Sequence, residues 1–472
     1  MHVVGNPLLR SRLNTLDMAS SMLPSFARLA LSLQSGETTS RALVEQCLSR
    51  IDEAGGEGQR AFLKVHADQA RAAADAVDRG RSLGIVASPY AGIPISIKDL
   101  FDIAGEPTTC GSRVLSDAPP AITDAPTVAR LRAAGLVIVG RTNMTEFAYS
   151  GLGINPHFGT PKNPFDRSNG RIPGGSSSGA AVSVTDGMAA AGLGTDTGGS
   201  CRIPAALTGI AGFKPTSRRV SCKGAIPLAT SLDSVGSLAR TVACCAVMDA
   251  ILRGESPEDL TAFPLCGMRL AIPEAMVLND MDKEVARAFE RCISLLSGRG
   301  AHVVRLPLPE LMELPAINSK GGFAAAESYA WHRNLLAQRG GMYDPRVSIR
   351  IAKGAEQSAA DYIDLRQARQ DFIRRVAAIC APFDGLLMPT VPRIAPTFAE
   401  VESDADYSRL NLLMLRNPAV VNFIDGCAVS VPCHLPGQPP VGLMVVGLRD
   451  SDARLLSIAH AIEMVVSPNT VD

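Results

Sequence analysis

The chain has 472 residues, 46% hydrophobic and 19% charged, a balance that excludes a disordered protein and supplies apolar surface for a large core. Lys plus Arg and Asp plus Glu both number 46, so the formal net charge is zero, and aromatic residues make up only 4%. Nucleic acid and anionic membranes are bound through a basic excess, and base stacking needs aromatic faces, so neither is expected as a partner.

The 11 cysteines are odd in number and scattered from Cys47 to Cys433, with no CxxC pair. That pattern excludes a zinc ribbon and a dithiol redox motif. Cys244 and Cys245 stand in an apolar stretch and read as buried thiols. The N-terminal residues hold no apolar run of signal-peptide length. The longest apolar run, residues 242–252, is interrupted by Asp249 and is too short to span a bilayer. A cytoplasmic protein is expected.

Residues 1–21 lack periodicity and read as an N-terminal extension to one domain, 22–472. Residues 23–85 read as helical, with apolar positions at helical spacing in ALVEQCLSRI and an Ala-rich stretch after it. Between 90 and 240, short apolar runs alternate with Gly- and Ser-rich turns. Residues 92–98, GIPISIK, read as a strand, 125–134 as a helix, and 136–139 as a buried strand. Further on, 283–298 reads as a helix, 302–306 as a strand and 357–381 as a long helix. Strands at 385–389, 428–432 and 441–447 and a helix over 451–465 close the chain. Helices alternating with strands define the α/β class.

Three segments carry polar residues suited to chemistry. In GIPISIKD, Ile93, Ile95 and Ile97 point to one side of the strand, and Ser96 and Lys98 to the other. A lone strand lysine ordinarily lies on a solvated face. The second segment, GRIPGGSSSGAAVSV, is a glycine–serine loop opening a helix: a plain connection, an anion cradle or a nucleophile turn. It contains GxSxG with Ser177 at its centre, but a nucleophile elbow needs a strand immediately before it, and residues 169–174 are loop-forming. The third, GTDTGGSCRIP, sets Gly198 and Gly199 before Ser200. Paired glycines can aim several backbone N–H groups at one point, as an oxyanion hole requires; an ordinary turn reads equally well.

Taken together, these segments identify the chain as similar to the amidase signature family, whose serine hydrolases use a Ser–cis-Ser–Lys triad. The matching text includes GIPISIKDLFDIAG, GLVIVGRTNMTEFAYSG, NGRIPGGSSSGAAVSV, GLGTDTGGSCRIPAALTGIAGFKPT and SLDSVGSLARTV. Towards the C-terminus, FDGLLMPTVP, NPAVVNFIDGCAVSVP and PVGLMVVGL continue it, so the likeness runs from about residue 25 to 465 with its signature core at about 90–240.

The resemblance implies a single large α/β/α domain, a central mixed twisted sheet flanked by helices. It implies Ser200 as nucleophile, Ser176 as bridging serine after a cis peptide and Lys98 as base. It places the oxyanion hole at the amides of Thr197, Gly198, Gly199 and Ser200, support for that loop at Asp196 and Arg202, and the pocket border at Ala148, Tyr149 and Ser150. Two departures stand out: Ser178 replaces a commoner glycine, and Cys201 follows the nucleophile where an aliphatic residue is common. A competing thiol nucleophile at Cys201 is the minor reading.

A serine hydroxyl needs a base, none of the seven histidines lies in a recognisable catalytic motif, and a lysine serves only if burial keeps it neutral. The expected reaction is hydrolysis of a small-molecule amide with no metal and no cofactor. The alternatives are the A subunit of a glutamyl-tRNA amidotransferase and a hydrolase of urea-like or carbamoyl amides such as allophanate. Tyr149, Phe147 and Phe158 would suit an aromatic or medium aliphatic acyl group, though such residues are more often simply core. A homodimer is carried as an open expectation.

Overall fold

All the strands among the described residues join one sheet. The computed structural model describes residues 22–261 and 263–467, so the expected extension at 1–21 lies outside the described residues. The strands are β1 (Phe62–Val65), β2 (Pro94–Lys98), β3 (Val137–Thr142), β4 (Ala191–Asp196), β5 (Ala211–Lys214), β6 (Ser234–Ala239), β7 (Arg269–Pro273), β8 (His302–Leu306), β9 (Gly385–Pro389), β10 (Cys427–Pro432) and β11 (Gly442–Gly447). They form an 11-stranded sheet in the order β1-β3-β2-β4-β6-β5-β10-β11-β9-β7-β8. The sheet is mixed: β2 runs parallel to β3 and β4, and β7 parallel to β8 and β9, while the remaining pairs are antiparallel. With helices packed along it, this is the expected α/β architecture.

The functional end of the sheet is built around β2. The helix Pro126–Ala133 carries the chain from β2 to its parallel neighbour β3, the crossover that parallel pairing demands. All five residues of β2 are buried, Lys98 included, so the solvated-face reading of that lysine does not hold. Ser96 Oγ lies 2.9 Å from Ser183 Oγ, which turns the Ser96–Lys98 side of the strand toward the helix Ser178–Thr185. That helix is buried along its whole length, and a Cβ at Gly192 on β4 would come within 2.9 Å of the Ala180 methyl. Glycine in β4 lets the helix lie this close.

Two expectations need amending. The helical reading of 23–85 holds for Phe26–Ser35, Ser40–Ile51 and Ala67–Ser82, but β1 lies between the second and third, pairing antiparallel with β3. Second, the residue pattern predicts no strand at 234–239, where β6 separates β4 from β5. Its sequence, SVGSLA, has small residues of weak strand preference, and the sheet position decides its conformation. Helices Gly322–Arg339 and Asp404–Phe423 are likewise additions to the expected elements. The apolar run at 242–252 is the helix Val242–Arg253, with Cys244 and Cys245 buried in it. Among the described residues, no helix is long and apolar enough to cross a membrane.

Candidate active site

Lys98 is the last residue of β2 and has no solvent exposure. Its Nζ donates to Ser176 Oγ at 2.7 Å and to Thr195 Oγ1 at 3.0 Å. Among the described residues no carboxylate pairs with it. Burial pushes the Lys98 amine down from 10.5 to about 8, with smaller opposing pulls from neighbours that include Asp196 and Asp233. An amine in this range exchanges its proton near neutral pH, as a general base must. Thr195 is a site residue that sequence reasoning missed. Its place in GTDTGGS, on the same strand as Asp196, was the available signal.

Ser176 follows a cis peptide bond, Gly175–Ser176, and is fully buried. Its loop is held by the next segment of the site: Gly175 N donates to Gly151 O at 2.8 Å, and Thr145 N to Ser176 O at 3.1 Å. The Ser177 amide donates to Ser200 O at 3.3 Å, linking the two serine loops. Ser177 is itself buried and no strand precedes it, so the elbow reading finds no support.

Ser200 is 4% exposed and follows Gly199 at φ +131°, a conformation that L side chains rarely adopt. A Cβ at Gly199 would also sit 2.6 Å from Ile203 Cδ1, so glycine is required twice over. The turn is clamped from beneath by Asp196. Its carboxylate accepts from Gly199 N at 2.8 Å, Cys201 N at 3.1 Å, and Arg202 Nε and Nη2 at 3.0 and 2.9 Å. Asn422, on the helix Asp404–Phe423, donates to Asp196 Oδ1 at 3.0 Å and accepts from Arg202 Nη2 at 2.7 Å. Burial alone would raise the Asp196 carboxyl, but the Arg202 guanidinium holds it well below the usual carboxylate range. The Gly199 amide is thus turned toward Asp196, leaving those of Thr197, Gly198 and Ser200 as the remaining set from this turn. Cys201 is fully buried, and burial pushes its thiol far above the ordinary value, which disqualifies it as a nucleophile at neutral pH.

A cavity of about 710 Å³ reaches this turn. Ala148, Thr195 and Thr197 line it, and residues 218–228 form much of its wall. Tyr149 and Ser150 lie outside that lining. Ser150 Oγ donates to Asn411 Oδ1 at 2.9 Å, and the Tyr149 carbonyl accepts from Arg350 at 2.6 Å, so both brace the loop that carries Ala148. Phe147 packs in the core against His332, their ring centroids 4.4 Å apart, and Phe158 is 38% exposed beside His157. Among the described residues no histidine bonds to Lys98 or Ser176, and no group of three or more His, Cys, Asp or Glu could hold a metal ion.

The fold recurs in known proteins. The Amidase family profile matches residues 42–456. The chain is 37% identical over 448 residues to 2-amino-5-chloromuconic acid deaminase of Comamonas testosteroni, covering 94% of this chain and 96% of that one. It is 35% identical over 481 residues to the A subunit of glutamyl-tRNA(Gln) amidotransferase from Chloroflexus aggregans, covering 93% and 96%. A solved structure described as an amidase superposes with a TM-score of 0.85 at 30% identity, covering 94% of this chain and 100% of that one. The chain belongs to the Amidase family, whose members are enzymes that hydrolyse carbon–nitrogen bonds in amides.

Proposed function

We propose that the protein hydrolyses the C–N bond of a small carboxylic amide through an acyl-enzyme on Ser200. The observation that carries the reading is the buried Lys98 amine 2.7 Å from the Ser176 hydroxyl. With a pKa of about 8, roughly one amine in ten is neutral at pH 7. Ser200 Oγ attacks the amide carbonyl and gives its proton to Ser176 Oγ, which passes its own to the neutral Lys98 amine. The developing oxyanion is taken by amides among those of Thr197, Gly198 and Ser200, with Asp196 and Arg202 holding that turn rigid. The tetrahedral adduct collapses, the C–N bond breaks, and the relay runs backwards to protonate the departing nitrogen. Water then attacks the ester through the same relay, releasing the carboxylic acid and restoring Ser200. The chemistry draws on side chains and backbone alone. All 11 cysteines are free thiols, which suits a cytoplasmic setting; a homodimer is the proposed assembly.

The test is ammonia release by the purified protein from aliphatic, aryl and amino-acid amides and allophanate. Ser200→Ala should abolish turnover with the fold intact, and Lys98→Ala should cost nearly as much, since members of a relay act as a unit. A Lys98→Ala variant that kept most of the wild-type rate would show the base to be another group. The likeness to an amidotransferase component supports a second reading, in which ammonia from glutamine passes to a partner. Turnover of glutamine alone, and only with partner subunits and charged tRNA, would favour it.

A further inference from the structure

The cavity that reaches the Ser200 turn is strongly basic. Arg130, Arg218, Arg219, Lys223 and Arg253 line it, against one acidic side chain, Asp233. Asp233 is already committed: it accepts from Thr197 Oγ1 at 2.5 Å and from the Leu228 and Ala229 amides at 3.1 Å. Three of the five cations are committed as well. Arg219 and Arg253 pair with Asp249 at 3.0 and 3.1 Å, and Arg130 donates to the Leu252 carbonyl at 2.6 Å. Arg218 and Lys223 are exposed and have no ion-pair partner among the described residues.

Arg218 is also conformationally unusual. Its backbone lies at φ +67°, where glycine is favoured and a long side chain is held at a cost. A residue kept there without an ion-pair partner, on the wall of a cavity that a second unpaired cation and Thr197 of the Ser200 turn also line, is arranged for an anion brought in from outside.

We propose that the substrate is an anionic amide. Its reacting carbonyl lies at Ser200, and a carboxylate elsewhere on the same molecule is held by Arg218 and Lys223. This rests on Ser200 being the nucleophile, and it names the substrate class that the basic charge selects. The two cations grip a part of the substrate that does not react, so they act on binding rather than on the bond-breaking step.

The experiment follows covalent labelling of Ser200 by a neutral alkyl fluorophosphonate and its slowing by added amides. The competitors are the monoamides of succinic, glutaric and adipic acid, each set against its neutral diamide. At least one monoamide should protect at a concentration about tenfold or more below that of its diamide. In the Arg218→Gly/Lys223→Ala double variant that preference should fall to near unity, while labelling without competitor keeps its wild-type rate. Glycine suits the backbone at 218, so the variant is compatible with the fold. Equal protection by monoamides and diamides, no protection by any monoamide, or a preference that survives both substitutions overturns the inference. Absence of labelling at Ser200 instead overturns the nucleophile assignment on which it stands.

Discussion

Replacing Lys98 by methionine keeps the length of the side chain and deletes its titrating amine. In the folded protein burial holds that amine near 8, against an ordinary 10.5. At about 1.4 kcal/mol per pKa unit, this drop sets roughly 3 kcal/mol against the folded state whenever the amine must be charged. The folded pKa lies below the unfolded one, so between about pH 8 and 10.5 the unfolded chain binds more protons, and wild-type stability rises with pH across that window. Lys98→Met has no such dependence. Its stability relative to wild type should therefore be most favourable at pH 7 and fall by about 2–3 kcal/mol by pH 10. The variant also strips a partner from Ser176 and Thr195, at about 1–3 kcal/mol, but that loss does not vary with pH and cancels in the comparison. Urea denaturation of both proteins at pH 7 and pH 10, with matched m-values, reads the difference directly. A gap between the two proteins that stays constant with pH would refute a buried, downshifted amine.

Three further outcomes are expected. The logarithm of kcat/KM should rise with unit slope at low pH and level off above about 8, because only the neutral Lys98 amine accepts a proton; Thr195→Val, which removes an acceptor from the ammonium, should move that inflection to lower pH. Asp196→Asn leaves the fully buried Arg202 without its counter-charge, so thermal unfolding should report a loss of about 3–5 kcal/mol; a variant as stable as wild type would mean that Asn422 alone holds the guanidinium. Iodoacetamide under native conditions should modify the exposed Cys266 and spare Cys201 with no loss of activity, as peptide mass analysis and the residual rate would show.

Much of the site was legible because its chemistry is written in short contiguous stretches. GIPISIK marks the end of β2, the GGSSSG loop opens a buried helix, and TDTGGS carries β4 into its turn. Strands with alternating or branched apolar residues, such as β8 and β9, could be read to the residue. What resisted reading depends on distant parts of the chain. Neither the burial of Lys98 nor its contact with Thr195 follows from a strand pattern, because both need β4 set beside β2. Asn422 stands in a stretch that carries the family likeness, but nothing local ties it to Asp196, since its helix has little amphipathic contrast. Arg218 reads as one more surface cation until its backbone angle and its lack of an ion pair among the described residues are known.

The clamp under the Ser200 turn spans nearly half of the polypeptide, since Asn422 reaches Asp196 across 226 positions of sequence. A ribosome that has delivered Lys98, Ser176 and Ser200 has therefore not yet delivered the whole clamp. The Ser176 and Ser200 hydroxyls exist for some two hundred residues of synthesis before the last member of that clamp, Asn422, arrives. The complete set of contacts that fixes the turn is thereby withheld from the nascent chain until well into its last quarter.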